Sequence, residues 1–370
     1  VVWLRKIVRK GLNDVEKYRY GKPIGELERE LGFEQVVRLC SNENPWPLPE
    51  SVKKAISSGL GDVQRYPDPG AFKLRRFIAS QWGVSPAEVI VGAGTEGLMH
   101  NLLHTIIDPG DQIVFPVPTY PIYRLAGIAA AAECVPLETG PDGGWGVDEL
   151  VTACSEKTKA VILCNPNNPT GKMLPRNDLI QLASALEGKG ILLVVDEAYA
   201  EYIDDPAYLS GIGLFRQIGR VVITRTFSKI HGLASLRVGY AIAPKSIAES
   251  YDKIHPVFEV SGIAQRAALA SLGEREYIES IRVKTIEERN RLVKELLKTG
   301  VHVENTCANF VLVRHRKAET VYDLLLREGI IVRKGSDLGL PGFLRVSVGR
   351  PEENDRFLAS LEKVLNSVEG

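Results

Sequence analysis

Five short apolar runs in the middle of the chain do not alternate with polar residues: Val89-Ile90-Val91, Gln112-Ile113-Val114-Phe115, Ala160-Val161-Ile162-Leu163, Ile191-Leu192-Leu193-Val194-Val195 and Val221-Val222-Ile223-Thr224. A strand with one wet face alternates, so continuous runs imply strands covered on both faces. Between the runs lie polar or glycine-rich turns and helical segments. In residues 178–186, for example, Leu179, Leu182, Ala183 and Leu186 recur at helical spacing before Gly188 ends the pattern. Doubly covered strands separated by helices predict an α/β domain, a mostly parallel central sheet flanked by helices.

From about Ile263 the texture changes. Longer charged helices are predicted over 287–298 and 352–368, interleaved with the strand-like Asn309-Phe310-Val311-Leu312-Val313, Ile330-Ile331-Val332-Arg333 and Phe343-Leu344-Arg345-Val346-Ser347-Val348. That pattern predicts a smaller α+β domain. A chain of 370 residues suits two domains. The expected division is a large domain over residues 41–262 and a small one over residues 1–40 and 263–370, with an N-terminal amphipathic arm.

Lys+Arg and Asp+Glu both number 46, so no net field draws nucleic acid or an anionic membrane, and no partner of either kind is expected. No run approaches the roughly 18 apolar residues of a membrane span, and the first residues lack a signal-peptide core. Cys40, Cys134, Cys154, Cys164 and Cys307 are scattered, odd in number and without C-x-x-C spacing, which argues against a disulfide framework or a zinc site. A reducing, cytoplasmic setting is expected.

In an open parallel sheet, ligands sit beyond the carboxyl ends of the strands. Gly92-Ala93-Gly94-Thr95-Glu96-Gly97 follows the first run and opens a helix whose free amides suit an anion. Its G-x-G-x-x-G spacing also admits a dinucleotide, but the next run leads into Pro116-Val117-Pro118 and offers no acidic residue for a ribose. Tyr120 comes next, able to stack on a flat ring or to serve only as packing. Asn165-Pro166-Asn167-Asn168-Pro169-Thr170-Gly171 is a dense turn segment, either a ligand loop or a capped turn. Asp196 follows five aliphatic residues, where a carboxylate is costly unless it meets a cation or donor; a metal or a helix N-cap are the alternatives to a protonated ring nitrogen.

The last run delivers Thr226, Ser228 and Lys229, with Arg237 a short way beyond. An amine that can form a Schiff base, beside hydroxyls and a guanidinium that can hold a phosphate, suits a phosphorylated aldehyde cofactor. Pyridoxal 5'-phosphate is such an aldehyde; a solvated lysine in a turn is the plain alternative.

Taken together, the chain resembles the fold-type I pyridoxal-phosphate enzymes of the class I/II aminotransferases, and within them the histidinol-phosphate aminotransferases. The resemblance runs from Tyr18 through Ser41-Asn42-Glu43-Asn44-Pro45, Arg65-Tyr66-Pro67-Asp68, the Asn165 turn, Asp196 and Tyr199, and the Thr226 segment, to Leu344-Arg345-Val346-Ser347-Val348-Gly349. It implies the pyridoxal-phosphate transferase fold and an amino group passed between an amino donor and a 2-oxo acid. It also implies roles: Lys229 as the imine-forming residue and proton carrier, Asp196 on the ring nitrogen, Asn168 and Tyr199 on the ring's phenolic oxygen, and Tyr120 stacked on the ring. Gly94, Thr95, Glu96, Thr226, Ser228 and Arg237 would surround the phosphate, reached by Tyr66 of a second subunit in a homodimer with shared sites. Arg345 would take the donor's carboxylate or phosphate, with Arg333, Asn44 and Tyr18 as further substrate contacts. His231 is given no role.

Departures from the family pattern bear on substrate: Phe258-Glu259-Val260-Ser261 replaces an asparagine-containing segment, Trp46-Pro47-Leu48 a glycine-containing turn, and Arg350 a small residue. Histidinol phosphate with the 2-oxoglutarate/glutamate pair is the expected chemistry. The alternatives are an aromatic amino acid aminotransferase, a decarboxylase of the threonine-phosphate type, a non-catalytic regulator and a nicotinamide dehydrogenase. The regulator is disfavoured by the lack of a basic extension or room for a DNA-binding module.

Overall fold

The computed structural model describes residues 9–12, 15, 36–140, 144–304 and 306–369. After a short strand, β1 (Val37–Arg38), come β2 (Val89–Gly92), β3 (Gln112–Val117), β4 (Glu133–Glu138), β5 (Thr158–Cys164), β6 (Leu192–Asp196), β7 (Val221–Thr226) and β8 (Gly239–Ile242). These last seven form one sheet in the order β2-β8-β7-β6-β5-β3-β4. β8 runs antiparallel to both its neighbours and the other pairs are parallel.

The continuous apolar runs have the expected cause. Val89, Val91, Val161, Leu163, Leu193, Val195, Val221 and Ile223 face one buried cluster, while Ile90, Ile113, Phe115, Ile162, Val194 and Val222 face another. Burying each such side chain stabilises the fold by about 1.5–3 kcal/mol, enough in sum to hold polar groups desolvated at the strand ends. The chain order reverses about β3, whose neighbours β4 and β5 lie on opposite sides, and a crevice beyond the carboxyl ends is expected there.

The sequence did not disclose two strands. β4 lies at the sheet edge with an alternating, half-exposed pattern, and β8 is four residues following a turn.

The smaller sheet has the order β12-β13-β10-β9, built from β9 (His302–Glu304), β10 (Phe310–Arg314), β12 (Arg333–Lys334) and β13 (Phe343–Ser347), all antiparallel. The run expected as one strand at Ile330 to Arg333 is split: β11 (Ile330–Ile331) pairs with β1 in a separate ribbon and β12 joins the four-stranded sheet. The helix expected over 287–298 spans Arg275–Lys298, and the terminal one Pro351–Glu369. Helix Gly262–Gly273 buries Ala264, Ala267, Ala268 and Leu272 in the large-sheet cluster. Helix Arg275–Lys298 bridges, with Ile281 in the large-sheet core and Leu292 and Leu296 in the small one. Most of the N-terminal arm, including Tyr18, lies outside the described residues.

Candidate active site

A cavity of about 310 Å³ opens beyond the carboxyl ends of the parallel strands, lined among others by Thr95, Glu96, Tyr120, Asn168, Asp196, Tyr199, Thr226, Ser228, Lys229, Arg237, Arg333 and Arg345. Residues from widely separated segments of sequence thus share one space. Gly94 lies directly behind it: its φ is +71°, and a β-carbon there would come 2.7 Å from Arg237 Nη2.

Asp196, the last residue of β6, is buried. Its Oδ2 accepts the hydroxyl of Tyr123 at 2.9 Å and its Oδ1 the amide of Ala198 at 3.2 Å. Burial pushes its carboxyl up to about 6, and the Tyr123 bond works against that rise. A carboxylate so placed favours a cation brought into the cavity.

Lys229 Nζ donates to the carbonyl of Ser41 at 2.9 Å and stands 5.6 Å from the centre of the Tyr199 ring. Burial, then the guanidinium of Arg345, lowers its amine to about 8. Far more of it is neutral near pH 7–8 than of an ordinary lysine, which is what a nucleophilic amine requires. Tyr199 receives two amides at its hydroxyl oxygen, from Asn42 Nδ2 at 3.1 Å and Asn168 Nδ2 at 3.2 Å.

An anion cradle occupies the other side. Helix Gly94–Ile106 starts here, Ser228 Oγ accepts from Arg237 Nη1 at 3.1 Å, and Thr95 Oγ1 is buried without a hydrogen-bond partner. A helix N-terminus, a guanidinium and an orphaned hydroxyl together fit a phosphate. Arg333 and Arg345 are register partners across β12 and β13, and both line the cavity. Arg345 also donates to Asn168 Oδ1 at 2.5 Å and to the carbonyl of Cys40 at 2.7 Å.

A model of the family described as aminotransferase class I and II matches residues 34–361. The chain belongs to that family. A histidinol-phosphate aminotransferase of Carboxydothermus hydrogenoformans is 37% identical to this aminotransferase over 97% of the chain and 99% of its own length. The solved histidinol-phosphate aminotransferase of Sinorhizobium meliloti, in complex with pyridoxal-5'-phosphate, superposes with a TM-score of 0.88 at 27% identity, covering 98% of both chains. The aspartate aminotransferase of Thermotoga maritima superposes at 0.85 with 26% identity, over 97% of this chain and 100% of that one.

Asn44 and Tyr66 do not line this cavity in their own chain. Asn44 is occupied structurally, donating to the carbonyl of Ile230 at 2.8 Å and accepting from the amide of Trp46 at 2.9 Å, and it lines an adjoining hollow. Tyr66 is 82% exposed and stacks on Phe258 at 4.5 Å beside a separate surface hollow. Tyr18 lies outside the described residues. His231 is buried against Ser271 Oγ at 2.6 Å, with burial driving its ring down to about 3, so it packs as a neutral side chain. Glu259 accepts the amide of Ala93 at 3.0 Å, behind the anion cradle, and Arg350 pairs with Glu352 and Glu353 at 3.3 and 3.5 Å.

Sequence reasoning missed Tyr123 and Asn42. Tyr123 stands one helical turn beyond Tyr120, and a second buried aromatic at that spacing reads as core. Asn42 was visible only as part of a matched motif; its αL backbone, φ +52°, is a conformation asparagine tolerates better than most residues.

Proposed function

We propose that this aminotransferase uses pyridoxal 5'-phosphate to exchange an amino group between histidinol phosphate and the 2-oxoglutarate/glutamate pair. The observation that carries the substrate is the side-by-side placement of Arg333 and Arg345 on the cavity wall. One guanidinium suffices for a carboxylate, whereas two suit a phosphomonoester, which bears close to two charges near neutral pH. The names carried by the relatives support the same choice.

When bound, pyridoxal phosphate supplies an electron sink that acidifies the donor's Cα–H bond and carries the amino group between half-reactions. Thr95, the first amides of helix Gly94–Ile106, Ser228 and Arg237 would hold its phosphate, with Thr226 and Glu96 alongside, and Tyr120 would cover one ring face. Asp196 would keep the ring nitrogen protonated, since a desolvated carboxylate stays ionised beside a cation. Asn168 and Tyr199 would contact the ring oxygen. Lys229, its amine lowered to about 8, would hold the cofactor at its aldehyde end and would carry the proton at the donor's Cα.

The site is proposed to be completed in a homodimer, Tyr66 of one protomer reaching the phosphate held by its partner. The exposed Leu60, Val63, Tyr66, Phe72 and Val257 supply an apolar face for that contact. A division of the chain after Gly273 fits the packing better than one at residue 262. Five free cysteines suit a cytoplasmic location.

Purified protein should be yellow and bleached by borohydride, and Lys229→Ala should be colourless. With histidinol phosphate and 2-oxoglutarate it should form one glutamate per donor consumed. Turnover of aromatic donors in preference to histidinol phosphate would overturn the substrate. Carbon dioxide release without glutamate would overturn the reaction.

A further inference from the structure

Strand β13 aims two side chains of one face, Arg345 and Ser347, at two different asparagines. Arg345 Nη1 donates to Asn168 Oδ1, and Ser347 Oγ donates to Asn42 Oδ1 at 2.8 Å. An amide whose oxygen is held by a donor must present its NH2 group the other way. Both NH2 groups then meet at the hydroxyl oxygen of Tyr199.

A phenol has two acceptor sites and one proton. With both sites occupied by Asn42 and Asn168, the O–H bond of Tyr199 must point elsewhere, and among the described residues no acceptor receives it. The direction left is the cavity that Tyr199 lines. The ring itself is fixed, buried and edge-on to Phe310 at 5.6 Å. Asn42 is fixed as firmly: its backbone N–H donates to Ser347 Oγ at 2.8 Å and its backbone carbonyl accepts from Asn309 Nδ2 at 3.0 Å.

We propose that Asn42, oriented by Ser347, is a positioning residue that turns the hydroxyl of Tyr199 into an obligate donor toward the ring oxygen of the bound cofactor. The inference rests on the pyridoxal-phosphate reading above and adds a residue to it. A donated hydrogen bond stabilises the anionic form of that oxygen and so lowers the pH midpoint of the bound chromophore. Without Asn42 the hydroxyl can rotate to donate elsewhere, and the midpoint rises.

Asn42→Gly is the informative variant, because glycine keeps the positive φ and the backbone bond to Ser347 while removing only the amide. Titrating the visible absorbance of the substrate-free holoenzyme, we expect the midpoint to rise by about half to one pH unit, the effect one neutral hydrogen bond supports. Ser347→Ala should shift it in the same direction by less, and serves if Asn42→Gly does not fold. Tyr199→Phe should shift it upward, and adding Asn42→Gly to Tyr199→Phe should then change nothing further. An unmoved midpoint in Asn42→Gly and Ser347→Ala beside a moved one in Tyr199→Phe would overturn the role of Asn42 alone. An additive shift in the double variant would overturn it too. An unmoved midpoint in Tyr199→Phe would overturn the placement of Tyr199 as well, and a colourless wild-type protein the cofactor reading itself.

Discussion

Tyr123, in helix Ile122–Ala129, donates its hydroxyl to Asp196 Oδ2, at the end of β6, at 2.9 Å. The bond satisfies half of a buried carboxylate before any cation arrives, and it makes a pH-dependent prediction. Asp196 sits at about 6 in the folded protein against an ordinary value of 3.8, so folding disfavours its ionised form. The cofactor-free protein therefore gains stability from this group as pH falls from 6 toward 4, and carries the full cost above 6. Tyr123→Phe removes a donor to the ionised form, costing about 1 kcal/mol where the carboxylate is charged and less where it is protonated. Thermal melts of the cofactor-free proteins should show a wider gap between wild type and variant at pH 7.5 than at pH 4.5. Equal gaps would mean that the bond does not act on the charge.

Lys229 makes a second pH prediction with the opposite chemistry. Burial first and Arg345 second depress its amine to about 8, from an ordinary 10.5, so the charged form is the disfavoured one. The folded state has lost the proton over the window from 8 to 10.5 in which the unfolded chain still holds it, and the group's contribution to stability rises with pH there. The nucleophile is the neutral amine. The rate at which the cofactor-free protein forms its yellow complex should rise with pH through a midpoint near 8, and Arg345→Gln should move that midpoint upward by removing a neighbouring positive charge. A rate flat between pH 6.5 and 9 would contradict the assignment.

How far the sequence could have led is visible in these two residues. Lys229 and Asp196 were legible because each breaks a local rule: a carboxylate follows five aliphatic residues, and an amine follows two hydroxyls at the end of a buried run. Strands covered on both faces made β3, β5, β6 and β7 equally plain. Tyr123 breaks no rule, since a tyrosine at helical spacing is ordinary core, and only the third dimension shows what its hydroxyl touches. The same holds for Asn42 and Ser347, 305 positions apart, whose contact no local pattern encodes. Asn44 shows the other side of this: its place in a matched motif suggested a ligand contact, while its bonds to Ile230 and Trp46 are local ties that the motif did not display.

Thr95 should separate binding from folding. Its hydroxyl is buried without a hydrogen-bond partner, a cost that a phosphate oxygen would relieve. Thr95→Val keeps the shape and removes the hydroxyl. The variant's cofactor-free form should melt no lower than wild type, while its affinity for pyridoxal phosphate falls by about tenfold, the worth of one hydrogen bond to a charged group. Equilibrium dialysis and melting of the same preparation check both. Loss of stability without loss of affinity would assign Thr95 to packing.

Gly239 tests whether the anion cradle depends on the one antiparallel strand of the large sheet. β8 lies between β7, which ends in Thr226, and β2, which leads into Gly94 and Thr95. A β-carbon at Gly239 would stand 2.8 Å from the carbonyl oxygen of Arg225 and 3.1 Å from both the carbonyl carbon of Gly94 and the nitrogen of Thr95. All three are backbone atoms, so no rotamer change relieves the clash, and the cradle must move away from β7. Overpacking of this kind costs roughly 1–3 kcal/mol. Because the atoms displaced belong to the turn that meets the phosphate, part of that cost should appear in binding, with cofactor affinity in Gly239→Ala reduced about ten- to a hundredfold. Gly219→Ala, where nothing lies within 4 Å of the added carbon, controls for the substitution itself and should change neither melting temperature nor affinity. A Gly239→Ala protein that is less stable but binds pyridoxal phosphate as tightly as wild type would place the phosphate away from the Gly94–Thr95 turn.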